Sequence, residues 1–271
     1  MPTPRLWFCG CFSLFFSLAC LAQNRQPDID QIIKRSVADN QLDFHAGDHL
    51  NWKERDRTPV GVKTYQVTII YGTPYSRLLA ENGQPLSPQR EQEEIQKEQQ
   101  ETERRRNESP EARRERIYRY EKGRQRDNNM MDQLTKAFNF TFVGVRKVRG
   151  FQVWVLMATP RPGYQPPNMD AQVLPGMQGE LWIDQKTGQW VHVHATVIRP
   201  VSIEGFLAQV EPGTEFDLQK APVVGGSWQP IHYSMKAQAK VFFMFNRNSQ
   251  EDDTYWDYEP ANPALAAPST N

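Results

Sequence analysis

Along residues 189–199 apolar and polar side chains alternate. Val191, Val193, Ala195 and Val197 face one way, and His192, His194 and Thr196 face the other. A period of two predicts a β-strand with one buried face. Residues 179–184 precede it and carry Trp182 and Ile183, which favour a pleated surface. Asp184 opens a turn that Gly188 closes, so the two segments read as an antiparallel hairpin. The same alternation marks residues 65–71, where Tyr65, Val67, Ile69 and Tyr71 interleave with Gln66, Thr68 and Ile70. Further strands are expected at 77–80, 140–146, 151–159, 202–207, 214–221, 228–237, 240–246 and 254–258. Asn82-Gly83 and Gly225-Gly226-Ser227 supply tight turns.

Two strand segments are apolar on both faces. Residues 151–159 contain Val153, Trp154, Val155, Leu156 and Met157, which predicts a central strand. In 240–246, Val241, Phe243 and Phe245 line one side, and Phe242 and Met244 the other. The polar stretch 43–54 reads as a strand that buries Phe44 and Trp52.

Helical spacing appears in two places. Residues 26–38 carry the stripe Ile29, Ile32, Ile33, Val37, with Asp28 and Asp30 in the first turn. From 87 to 127 the chain is dominated by Gln and by charges of both signs. Ser87-Pro88 and Ser109-Pro110 each pair an N-cap with proline at the first helical position, which predicts two helices broken near Asn107. Glu93 with Lys97, Glu101 with Arg105 and Glu115 with Arg119 are favourable i, i+4 pairs. The first helix has almost no apolar face and reads as solvated. The second gains the stripe Ile117, Tyr120, Met131, Leu134, Phe138 and docks by its C-terminal half. Five prolines make 160–176 a long loop of the kind that serves as a lid or binding loop, and 260–271 is Ala/Pro-rich and expected to be disordered.

The predicted architecture is mainly β with α. It is an open, curved antiparallel half-barrel covered by helices, with a long charged helical insertion at 87–139. One domain occupies 23–259, after a signal peptide at 1–22.

Composition narrows the chemistry. The 271 residues carry 32 basic and 32 acidic side chains, so no net charge draws the chain to nucleic acid or anionic lipid. Residues 1–5 hold one positive charge, 6–21 are apolar, and Ala22 precedes a cleavage point before Gln23. This pattern predicts export to the periplasm. Ser17-Leu18-Ala19-Cys20 is a partial lipobox with Ser where Leu is wanted, which makes a lipid anchor at Cys20 the alternative. Cys9, Cys11 and Cys20 are the only cysteines, so the processed chain has no disulfide, zinc–cysteine site or thiol nucleophile. No later segment has the length and apolarity of a membrane-spanning helix.

Catalytic patterns are absent. There is no Gly-x-Ser-x-Gly elbow, phosphate-binding glycine loop or triad spacing, and His45 and His49 enclose Ala46-Gly47-Asp48 rather than the zinc-protease pattern. No cofactor is expected. His192 and His194 share a strand face and read as surface histidines on its solvated side, so no metal is expected; a metal there would need a third ligand, for which His232 on a later strand is the candidate. The apolar set exceeds what one sheet face requires. Trp154, Met157, Trp182, Phe243 and Phe245 are therefore candidates to line a ligand cavity.

Several strings carry a family resemblance. One runs from Tyr71-Gly72-Thr73-Pro74 through Glu81-Asn82-Gly83-Gln84 to Ser87, followed by the Glu/Arg-rich helix. The others are Ala158-Thr159-Pro160-Arg161-Pro162-Gly163-Tyr164, residues 179–184 with Trp190, Gly205-Phe206-Leu207-Ala208, and Glu211-Pro212-Gly213. Together they resemble exported bacterial proteins of an Acidobacteria-type group labelled outer-membrane lipoprotein-sorting-like. The resemblance implies a LolA/LolB-like fold, an open half-barrel whose concave face is plugged by helices. It also implies a cavity that shields a lipid or lipoprotein acyl chain, or a module that senses envelope stress through an envelope protein partner. The charged insertion departs from the small carriers of that fold.

Overall fold

The computed structural model describes residues 27–203, 208–241 and 245–266. The expected signal peptide with Cys20, and the candidate Phe243, lie outside the described residues.

Helix α1 (Ile29–Ala46) carries the predicted stripe but runs on through the stretch read as strand. Its extension is held by buried polar partners rather than by apolar spacing. Ser36 and Asn40 are fully withdrawn from water, which a helix tolerates only where both side chains find partners. Phe44 therefore stands on a helix, and strand β1 begins later (Leu50–Thr58) after one 3-10 turn. A meander follows of β2 (Gly61–Ile70), β3 (Thr73–Glu81) and the two-residue β4 (Gln84–Pro85). The β3–β4 turn uses Asn82 and Gly83 at φ 51° and 77°, the residue types that accept left-handed backbone.

The charged insertion forms α2 (Pro88–Arg106) and α3 (Pro110–Ala137). Ser87 Oγ accepts from the Arg90 N–H and Ser109 Oγ from the Ala112 N–H, so both predicted caps are made. Helix α2 is not a free solvated rod. Arg105 is 6% exposed, and its guanidinium donates to the carbonyls of Ile70 and Thr73 at 2.9 and 2.8 Å. Arg77 on β3 pairs with Glu98 at 2.8 Å. A helix without an apolar face is thus fastened by charge-assisted bonds to the β2–β3 turn.

The remaining strands are β5 (Phe138–Val148), β6 (Phe151–Pro160), β7 (Met177–Asp184), β8 (Trp190–Val197), β9 (Val201–Ile203), β10 (Ala208–Val210), β11 (Glu215–Pro222), β12 (Trp228–Val241) and β13 (Phe245–Pro260). They form one antiparallel sheet in the order β4-β3-β2-β1-β13-β12-β11-β8-β7-β6-β5, with β9 and β10 branching off β12. The two ends do not meet, so the sheet is open.

Further expectations shift. Strand β6 is buried on both faces but lies next to the β5 edge rather than at the centre. Residues 240–246 are not one strand, because Val241 and Phe245 are partners across the β12–β13 hairpin. Within 160–176, the 3-10 turn Asp170–Gly176 buries Ala171 and Leu174 against Ala137 and Phe138, so this part packs rather than standing open as a lid. In the tail, Pro263–Ala266 forms a single turn, α4, and the Tyr71 N–H donates to the Leu265 carbonyl at 2.5 Å.

The core has two sides. On one, Ile33 of α1 joins Leu156, Leu181, Ile183 and Trp190, with Met131 and Leu134 of α3 packed alongside. On the other, Val153, Val155 and Val191 close around Trp228, with Phe151 and Trp182 beside them.

Candidate functional site: a sheet face that the helices leave uncovered

Residues directly opposite on an antiparallel ladder share a face. Val193, packed against the α1–α3 cluster, pairs with Leu218, which pairs with Tyr233, then Asp253, then Asp56. One step along, Phe216 pairs with Met235, and Met235 with Glu251. Glu54 pairs with both Tyr255 and Tyr65. These rows continue the helix-bearing face across β11, β12, β13, β1 and β2. The apolar clusters under the helices lie over β5–β8, and α1 reaches only the Lys220 and Gln229 ends of β11 and β12; none of these further residues belongs to the buried clusters. They are mostly half-buried and lean on one another: Phe216 and Tyr233 meet edge to face at 5.5 Å, and Trp52 stacks on Tyr258 at 6.3 Å.

Within this aromatic surface sit four carboxylates, Glu54, Asp56, Glu251 and Asp253. Asp253 is 9% exposed. Its Oδ2 accepts the Tyr255 hydroxyl at 3.1 Å, while its Oδ1 is buried with no partner among the described residues. Asp56, directly across the β1–β13 pair, likewise has a buried Oδ1 without a partner. Burial, and next the Glu251 charge, push the Asp253 carboxyl up to about 7. Burial also raises Glu54, Tyr65, Tyr255 and Tyr258 above their ordinary values, so the phenols stay protonated donors.

The opposite face carries the histidines. His192 Nε2 is 2.6 Å from Asp217 Oδ2, and His194 Nδ1 is 3.4 Å from the same oxygen. His232 lies 3.8 Å from Asp217 Oδ1 and 3.6 Å from Asp252. The structure thus brings the three predicted histidines together and adds Asp217, which sequence spacing did not single out. Its signal is only its register, since Asp217 is the ladder partner of His194. Among the described residues no group of three such side chains has the geometry to hold a metal. Burial pushes the Asp217 carboxyl up, but the hydrogen bond and charge of His192 outweigh it and leave it below its ordinary value.

The cavity candidates divide between the faces. Trp154 lies in the cluster under α1 and α3. Trp182 is on the histidine face, edge-on to His192 at 4.8 Å, with the Arg146 guanidinium 5.2 Å over its ring. Met157 pairs with Glu180, whose carboxylate accepts the Trp182 indole N–H at 2.9 Å, which puts Met157 on that same face. Phe245 stands at the β12–β13 hairpin. Phe216, Tyr233, Met235 and Tyr255, which line the uncovered surface, were legible only as strand residues.

No protein-family model matches the chain, and no curated protein matches it. Among solved structures, it is similar to a LolA superfamily protein from Nitrosomonas europaea at 10% identity and TM-score 0.29, over 86% of this chain and 93% of that one. A DUF1329 family protein from Desulfovibrio piger matches at 8% identity and TM-score 0.29, over 87% and 94%. The Pseudomonas aeruginosa MucA/MucB complex matches at 12% identity and TM-score 0.25, over 87% of this chain and 100% of the matched chain.

Proposed function

We propose that this chain is an exported, periplasmic binding protein that shelters the acyl chain of a lipid or lipoprotein on the uncovered part of its helix-bearing face. The observation that carries this reading is the row Phe216, Leu218, Tyr233, Met235, which continues the packed face but takes no part in the packed clusters. An apolar strip inside a curved sheet, with a few polar groups at one end, has the make-up of a ligand site. The apolar stretch 6–21 supports export. A second reading, an envelope-interaction module that plugs its own cavity, is favoured by α1 and α3, which fill the face over β5–β8.

Binding of the apolar dye N-phenyl-1-naphthylamine to the purified chain separates the two. The acyl-chain reading requires saturable dye binding that long-chain amphiphiles displace, and loss of binding in Met235→Glu with the fold intact. Absence of dye binding favours the plugged module.

A further inference from the structure

We propose that the uncovered face selects an amphiphile bearing a primary ammonium group, held between Asp253 and Asp56 with its chain along Phe216, Leu218 and Met235. This deepens the acyl-chain reading above and rests on it.

The argument starts from acceptors that lack donors. Buried carboxylate oxygens are ordinarily hydrogen-bonded, because an unpaired one loses its water for no return. Asp253 Oδ1 and Asp56 Oδ1 both break this rule, and they stand on directly opposed residues of β13 and β1. Two carboxylates placed opposite each other repel, and Glu251 and Glu54 on the same face add to the negative field. Lys63, the ladder partner of Asp56, is exposed. The site therefore wants a cation that also donates hydrogen bonds.

A primary ammonium has three N–H donors on a compact charge. Its donors match the two orphan oxygens, which stand on facing residues. The surrounding rings of Tyr233, Tyr255 and Tyr65 add faces that attract a cation. A quaternary ammonium brings the charge but no N–H. A fatty carboxylate brings a like charge. A metal ion is disfavoured by the donor set, since no group of three carboxylate or histidine side chains here has metal-holding geometry among the described residues. Tyr255 already donates to Asp253 Oδ2, which leaves the buried Oδ1 as the acceptor without a donor.

The test is displacement of N-phenyl-1-naphthylamine from the chain by four probes of equal length: dodecylamine, dodecyltrimethylammonium, dodecanol and dodecanoate. At pH 8, dodecylamine is expected to bind at least about tenfold more tightly than dodecanoate, and more tightly than the trimethylammonium analogue. Asp253→Asn and Asp56→Asn, tested separately, are expected to bring the amine and the alcohol to within about threefold of each other, each affinity taken relative to the dye affinity of the same variant. If all four probes compete equally, the groove reading stands and the ammonium inference is overturned. If no probe competes because the dye does not bind, the acyl-chain reading itself fails. If dodecyltrimethylammonium matches dodecylamine, charge alone is recognised and the hydrogen-bonding assignment is wrong. Should one Asn variant fail to fold, the other variant and the wild-type probe series decide.

Discussion

Trp190 donates its indole N–H to Ser36 Oγ at 2.7 Å, and both residues are withdrawn from solvent. The bond joins α1 to β8 across 154 positions of sequence. It belongs to a larger junction. Asn40 Oδ1 accepts the Lys220 ammonium at 2.8 Å, and the Gln189 side chain donates to the Asp39 carbonyl at 2.9 Å. Burial lowers the Lys220 amine to about 8, which the Asp43 charge partly opposes. Helix α1 is thus welded to the sheet by polar groups as well as by Ile33.

Ser36→Ala leaves the Trp190 N–H buried without an acceptor. The expected cost is about 1–3 kcal/mol, read as a lower urea midpoint with unchanged m. A midpoint equal to wild type shows that water replaces the serine.

Arg105→Met removes the donor to the Ile70 and Thr73 carbonyls and leaves these without their partner. Faster amide exchange across Pro88–Arg106 is expected, together with about 1–3 kcal/mol of lost stability. Arg114→Met is the control. Arg114 and its partner Glu111 are both well exposed, and such pairs contribute little, so the midpoint stays in place.

Gly179→Ala places a methyl group against the backbone of β8. A Cβ at this glycine lies 2.8 Å from the Ala195 Cα and closer still to the His194 carbonyl. Neither atom can rotate away, so the β7–β8 pair must part. Overpacking of this kind costs about 1–3 kcal/mol or more, visible as a lower thermal midpoint.

Burial, and next the Glu251 charge, push the Asp253 carboxyl from its ordinary 3.8 up to about 7. The fold favours its neutral form. Its contribution is complete below the unfolded value and is lost as pH rises through 7. Asp253→Asn is therefore expected to match wild type near pH 4 and to exceed it at pH 8 by on the order of 1–2 kcal/mol. Equal stability at both pH values shows that the carboxylate is hydrated.

Asp217 behaves oppositely. His192 holds its carboxyl below the ordinary value, so its contribution is present above about pH 4 and lost as pH falls further. Asp217→Asn is expected to lower the midpoint at pH 7 and to flatten its decline in acid. An acid limb that is as steep in the variant assigns it to other carboxylates.

Local chemistry was readable where it was local. Ser87-Pro88 and Ser109-Pro110 place the helix starts because cap and proline act within one turn. Alternation in 65–71 and 189–199 places strands for the same reason. The end of α1 was not readable, because Asn40 is helical for the sake of Trp190 and Lys220, residues about 150 and 180 positions away. Arg105 looked like an i, i+4 partner of Glu101, which it is at 2.5 Å, but its second role depends on the β2–β3 turn beside it. The site was hidden more deeply. Asp56 and Asp253 become neighbours only through the register of β1 with β13.

That same register has a kinetic meaning. Strand β13 sits between β1 and β12, so the β1–β4 meander joins the rest of the sheet through the last strand among the described residues. A chain made from its N-terminus carries β1 as an unsealed edge until residues 252–260 emerge and zip onto 50–57. Closure across some two hundred residues is slow. Until then the N-terminal hairpins, which pair locally, lack their partner along the free side of β1.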